Sequence, residues 1–149
     1  MADYYGITRT NYFSVKDPHQ FKKIIENAHC TGFDSKIEIW ERKDGNKTLY
    51  GFGCYGSIEG LLENWEDNND ADYDGDYDFS LFESELSKIV SDDDAIVITE
   101  IGHEKLRYFT ACSVVITSKG TELVNLDSCS VAAASKMLIN PEWKTKMCY

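Results

Sequence analysis

Hydrophobic positions along this chain follow two periods, and the changes between them mark the elements. Thr8 to Val15 (TRTNYFSV) has the β-branched and aromatic content of a strand. A helix start follows: Asp17 suits the cap, Pro18 the first helical position, and Gln20 completes a capping-box pattern. Phe21, Ile24, Ile25 and Ala28 recur at helical spacing and predict one buried face, with Gly32 as the stop. Lys36 to Arg42 alternates with period two, Lys43 to Lys47 carries Asp-Gly turn chemistry, and Thr48 to Tyr55 returns, which predicts a hairpin. Ile58, Leu61, Leu62 and Trp65 have the spacing of a short helix over 57–65.

Beyond a polar stretch, Asp78 or Ser80 caps a further predicted helix with Phe79, Phe82, Leu86, Ile89 and Val90 as its apolar stripe. Ala95 to Ile101 (AIVITEI) reads as a central strand, and Gly102 to Lys105 as a turn into a long strand from Leu106 to Thr117. Ser118 to Gly120 turns the chain into a strand over 122–126. Asp127 or Ser128 is the expected cap of a last helix, which Asn140-Pro141 stops. Short turns between successive strands imply antiparallel pairing. The pattern predicts a single α+β domain over residues 1–149, with one antiparallel sheet of about five to six strands and helices packed on one face.

Composition changes this picture at one place. The formal net charge is −11, from 26 acids against 15 bases. Between Lys47 and Lys88 there is no Lys or Arg, while Glu59, Glu63, Glu66, Asp67, Asp70, Asp72, Asp74, Asp76, Asp78, Glu83 and Glu85 all fall there. Those eleven acids equal the whole net charge, so the chain is a neutral body with one acidic segment. Such a field repels nucleic acid and membranes and attracts basic partners or cations. No apolar run reaches membrane-span length, and the first residues lack a signal-peptide pattern, so the expectation is a cytoplasmic protein. Five widely spaced cysteines (Cys30, Cys54, Cys112, Cys129 and Cys148) without a Cys-x-x-Cys read as idle free thiols.

The candidate chemistry lies in the acidic loop, about 66–78. Asp70, Asp72, Asp74 and Gly75 match the first half of an EF-hand loop, and Asp78 its ninth position, but the twelfth is Leu81, which cannot ligate. The metal reading is therefore weak calcium binding by Asp70, Asp72, Asp74, Asp76 and Asp78, with no other cofactor expected. In an extended segment the same aspartates would share a side at roughly 6.6 Å spacing, a line of charge able to imitate nucleic-acid phosphates before a row of Lys and Arg. Tyr73 and Tyr77, interleaved with them, suit stacking on arginine. The partner-binding set on this reading is Glu63, Glu66, Asp67, Asp70, Asp72, Tyr73, Asp74, Asp76, Tyr77 and Asp78. A solvated loop that only keeps the chain soluble is the plainer alternative.

Catalytic patterns find no support. His29 and Cys30 are adjacent and diverge if extended, and His103 with Glu104, Lys105 and Arg107 reads as a hairpin tip. Gly51, Gly53 and Gly56 read as a bulged or close-packed strand rather than a phosphate loop, and no Gly-x-Ser-x-Gly, His-Glu-x-x-His or Walker motif occurs. The expectation is a protein that is not an enzyme. No role follows from the sequence for Tyr4, Tyr5 and Tyr149.

Three stretches, Thr8 to Asp17 (TRTNYFSVKD), Ile101 to Tyr108 (IGHEKLRY) and Asn140 to Lys146 (NPEWKTK), together resemble a family of small acidic proteins encoded on phages, plasmids and conjugative elements of Gram-positive bacteria. The similarity spans nearly the whole chain and brings no catalytic or binding residues with it. It implies a mobile-element context inside a host bacterial cell. Small acidic proteins of that origin often resemble anti-restriction or anti-CRISPR inhibitors, which implies a basic nucleic-acid-binding partner such as a CRISPR effector or restriction enzyme, met through an acidic DNA-mimicking surface.

Overall fold

The computed structural model describes residues 3–32, 36–67 and 75–145. The fold is α+β. The strands are β1 (Tyr5–Thr10), β2 (His29–Cys30), β3 (Glu38–Asp44), β4 (Lys47–Tyr55), β5 (Ile58–Gly60), β6 (Ile96–Glu104), β7 (Tyr108–Thr117) and β8 (Gly120–Asn125). The helices are α1 (Pro18–Asn27), α2 (Phe79–Ile89) and α3 (Leu126–Met137). Six strands form one antiparallel sheet in the order β3-β4-β1-β6-β7-β8, and β2 pairs with β5 in a second, two-stranded sheet.

The alternation along β1 sets the two faces of the large sheet. Thr8 is buried under the helices, while Tyr5, Ile7 and Arg9 point away from them. On the covered face Phe52 of β4 meets Phe13 at 6.1 Å and Phe82 of α2 at 6.0 Å, both edge to face, and Phe21 of α1 meets Phe13 at 5.5 Å. These aromatic contacts, with Ile24, Leu86, Ile96 and Ile116, make one core between the sheet and α1/α2. Residues expected for the helix stripes are the ones that bury: Phe21, Ile24 and Ile25 on α1, and Phe82, Leu86 and Ile89 on α2.

The caps follow local chemistry. The Gln20 N–H donates to Asp17 Oδ1 at 3.1 Å, with Pro18 at the first position of α1. Gly45 takes φ 61° in the β3–β4 turn, as its Asp-Gly signal requires. The last helix differs from expectation. Its cap is Asn125, whose Oδ1 accepts from the Asp127 N–H at 2.8 Å, so the helix starts where β8 stops.

Three further expectations fail for tertiary reasons. The first strand covers Tyr5–Thr10 rather than 8–15, because Asn11 takes over the ladder: the Val97 N–H donates to its Oδ1 at 2.8 Å and its Nδ2 donates to the Ala95 carbonyl at 3.0 Å. Gly32 does not stop α1, which ends at Asn27. A Cβ on Gly32 would instead collide with the Tyr55 carbonyl, where the two segments cross. The predicted helix over 57–65 is the short strand β5 followed by a turn. Ile58, Leu61 and Trp65 do bury, but Gly60 has φ 118° and its α-carbon abuts the Asp78 backbone, which no helix allows.

Gly53 is a close-packing glycine, as its place in a strand suggested. A Cβ there would lie 2.6 Å from the Thr8 carbonyl oxygen and 2.9 Å from the Trp40 ring. Its absence lets Trp40 lie across the open face of the sheet, with the Arg9 guanidinium 4.6 Å over the indole. His103 to Arg107 forms the end of the β6–β7 hairpin, with Lys105 at φ 53°. Among the described residues no helix is long and apolar enough to cross a membrane.

Candidate functional site

The acidic segment is closed by a backbone bridge between Leu61 and Asp78, and within it Trp65 is buried in the core. The Leu61 N–H donates to the Asp78 carbonyl at 3.1 Å, and the Asp78 N–H donates to the Leu61 carbonyl at 2.8 Å. Leu61 is fully buried, so this bridge anchors Leu61 and Asp78, which flank the 62–77 segment, to the core. On β5 the alternation buries Ile58 and Gly60 and turns Glu59 outward. Glu59, Glu63, Asp76 and Asp78 then line one concavity of about 750 Å³ with Tyr77, Phe79, Ser80 and Leu81.

The structure brings part of the expected partner-binding set together. Glu63 and Glu66 are exposed in a turn whose Trp65 is buried, Asp67 follows it, and Asp76, Tyr77 and Asp78 are exposed at the entry to α2. Asp70, Asp72, Tyr73 and Asp74 lie outside the described residues, as does most of the half EF-hand. Two members of the expected partner-binding set have duties within the fold. Asp78 caps α2, its Oδ1 accepting from the Ser80 N–H at 2.8 Å and the Leu81 N–H at 3.4 Å. Tyr77 stacks on His29 with ring centroids 4.5 Å apart and planes 16° apart, so one face of its ring is already occupied. Among the described residues no group of three or more His, Cys, Asp or Glu is arranged to hold a metal ion.

Like charges shape this rim. Glu83 is raised above the ordinary glutamate value by burial and then by the charge of Asp78. His29 Nδ1 donates to Glu59 Oε2 at 2.7 Å, and Lys88 donates to Glu85 at 2.9 Å. Lys88 is raised by that bond and by the Glu85 charge, with Glu66 adding to it. Sequence reasoning missed His29 as a partner of Glu59 and Tyr77, because β2 brings it to this face through pairing with β5.

A second polar cluster also escaped it. Glu100 lies on the covered face of β6, in one cross-strand row with Cys54, Thr8 and Cys112. The Tyr4 hydroxyl donates to Glu100 Oε1 at 2.8 Å, and the Ser57 hydroxyl donates to the same oxygen. A carboxylate inside the apolar run AIVITEI, in register with Ile96 and Ile98, was the available signal. The surroundings do not activate a nucleophile. Burial, then the neighbouring Cys30, push the Cys54 thiol up to about 12; burial and Glu100 raise Cys112; burial is the first cause of a raised Tyr4. Each of these groups is held in its protonated form at neutral pH.

No protein-family model, curated protein or solved structure matches the chain. The described residues form a single-domain α+β scaffold in which an acidic stretch is bracketed by the Leu61–Asp78 bridge.

Proposed function

We propose that the protein is a non-enzymatic binding protein that presents its acidic segment, Glu59 to Glu85, to the basic groove of a nucleic-acid-binding protein. The observation that carries this reading is the concavity ringed by Glu59, Glu63, Asp76 and Asp78, inside a window without Lys or Arg. Carboxylates held by a rigid frame compete for Lys and Arg rows without paying to organise them first. Binding would displace nucleic acid through the electrostatic part of its affinity, which salt weakens. The resemblance to acidic proteins of mobile elements narrows the partner to a host defence nuclease, a CRISPR effector or a restriction enzyme, and the role to an anti-defence inhibitor.

The test is an affinity pull-down from a Gram-positive host lysate at low and high salt, with retained proteins identified by mass. A basic nuclease that washes off at high salt supports the reading and names the partner. The same experiment with Asp70, Asp72, Asp74, Asp76 and Asp78 all changed to Asn must lose that partner; Asn is chosen because it preserves the α2 cap. Retention of the nuclease by the Asn variant at physiological salt overturns the mimicry mechanism. A rise in thermal stability on adding millimolar calcium, absent from the Asn variant, would move the assignment to a cation-binding module.

A further inference from the structure

Glu59, Glu63, Asp76 and Asp78 sit with β5 and α2, on the side of the sheet that the core covers, and the opposite side has a different character. Pairing registers place Tyr55, Ile7, Ile101 and Ala111 in one row across β4, β1, β6 and β7. The next row is Tyr5, His103 and Phe109. Cross-strand neighbours lie about 4.5–5.5 Å apart, so all of these side chains except His103 make up an apolar block that borders it. Tyr5 is 64% exposed, Ile7 50%, Tyr55 69%, Ile101 63% and Phe109 50%. Together they leave on the order of 600 Å² uncovered. That is the upper end for the largest apolar patch of a monomer, about 300–600 Å². With the flanking Trp40, Arg9 and His103 it approaches the roughly 800 Å² per partner of a stable interface.

We propose that this open sheet face is the interface of a symmetric dimer, in which two copies of the chain pack sheet on sheet. The patch is self-complementary in kind: aromatic and aliphatic, and bounded by a polar row of Arg9, Thr99 and Ser113, with Thr99 and Ser113 hydrogen-bonded at 2.8 Å. A two-fold axis through the Ile7–Ile101 pair brings each block onto its own copy, an isologous contact. Two antiparallel sheets can then pack about 10 Å apart at roughly −30°. Charge favours this over other arrangements of two copies. The rim holds Arg9 and Lys36 against Glu38, whereas Glu59, Glu63, Asp76 and Asp78 sit with β5 and α2 beyond the core. Joining the open faces therefore keeps the Glu59, Glu63, Asp76 and Asp78 clusters of the two copies away from the interface. The proposal is independent of what the acidic segment binds.

Sedimentation of the full chain from about 0.1 to 100 µM tests it. The expected result is a shift from monomer to twice the monomer mass over that range. Ile101→Lys, which places an unpaired charge at the centre, should weaken pairing at least about 100-fold with far-UV circular dichroism unchanged. If Ile101→Lys does not fold, Tyr55→Ser removes exposed area only and should weaken pairing about 10-fold or more. Ile139→Lys, at an exposed site after α3, should pair like the wild type. The variant with the five loop aspartates changed to Asn should pair as well or better. A wild type that is monomeric at 100 µM, a dimer that survives Ile101→Lys or Tyr55→Ser, or a dimer broken by Ile139→Lys overturns the proposal.

Discussion

Asp78 is both a structural cap and a member of the acidic rim, and two substitutions separate the roles. Its Oδ1 satisfies one α2 amide well, at 2.8 Å from the Ser80 nitrogen, and a second weakly, at 3.4 Å. Asp78→Ala removes both bonds while the backbone bridge to Leu61 is retained. The loss should be about 1 kcal/mol, typical for an N-cap truncation. For a chain of this size that corresponds to a fall in Tm of about 2–4 °C. Asp78→Asn retains an acceptor in the cap and removes only the charge. The favourable interaction of that charge with the helix N-terminus, about 0.3–1 kcal/mol, is lost. Repulsion with Glu83, which Asp78 helps to raise, is relieved in exchange. The two oppose each other, so Asp78→Asn should stay within about 0.5 kcal/mol of the wild type. Thermal and urea unfolding at pH 7 measure both variants. An Asn variant as destabilised as the Ala variant would refute the reasoning, because it would make the charge, and not the acceptor atom, the stabilising element. If the acidic rim contacts a basic partner, Asp78→Asn also weakens that binding without a stability cost.

Two further predictions concern other regions. Burial alone would raise the Asp94 carboxyl, but the Ser14 and Ala95 N–H groups, at 2.8 Å each, and the Ser14 hydroxyl, at 3.0 Å, hold it below the ordinary aspartate value. A lowered folded-state value stabilises above the unfolded value and is lost as pH falls through the folded one; with the carboxyl only partly buried, so that solvent screens it, Asp94→Ala should cost about 1 kcal/mol at pH 7. That deficit should shrink below about pH 4, and an equal deficit at pH 7 and pH 2.5 would contradict it. Among the thiols, Cys129 is exposed while Cys54 is raised to about 12, so in a Cys148→Ser background a thiol-specific reagent at pH 7.5 should modify Cys129 at least about 100-fold faster than Cys54; comparable rates read by peptide mass would refute the assignment.

Local chemistry decided much of this protein from sequence alone. Asp17-Pro18 and Asp78 start their helices because a cap needs only an acceptor and the amides two or three residues later. Asp-Gly turns β3 into β4 because the turn needs a positive φ at Gly45. The helix stripes, the strand AIVITEI inside the sheet and the antiparallel α+β class were legible for the same reason, since each period states which side is buried. The concentration of charge between Lys47 and Lys88 was legible as well. The sequence did not tell that Ile58 to Trp65 makes a strand and a turn. Helical spacing was present, but Gly60 must pass against the Asp78 backbone, a constraint from a residue eighteen positions away. Nor did it place His29 against Glu59 and Tyr77, or gather Tyr4 and Ser57 on Glu100, because those contacts exist only once β2 pairs with β5 and β1 with β6. The open apolar face was hidden for a related reason. Tyr5, Ile7, Tyr55, Ile101 and Phe109 are scattered in sequence, and only the strand register makes them neighbours. Short-range preferences act between residues a few positions apart, so sequence alone fixes them; a surface assembled from several strands depends on pairings across the whole chain, which only the tertiary structure decides.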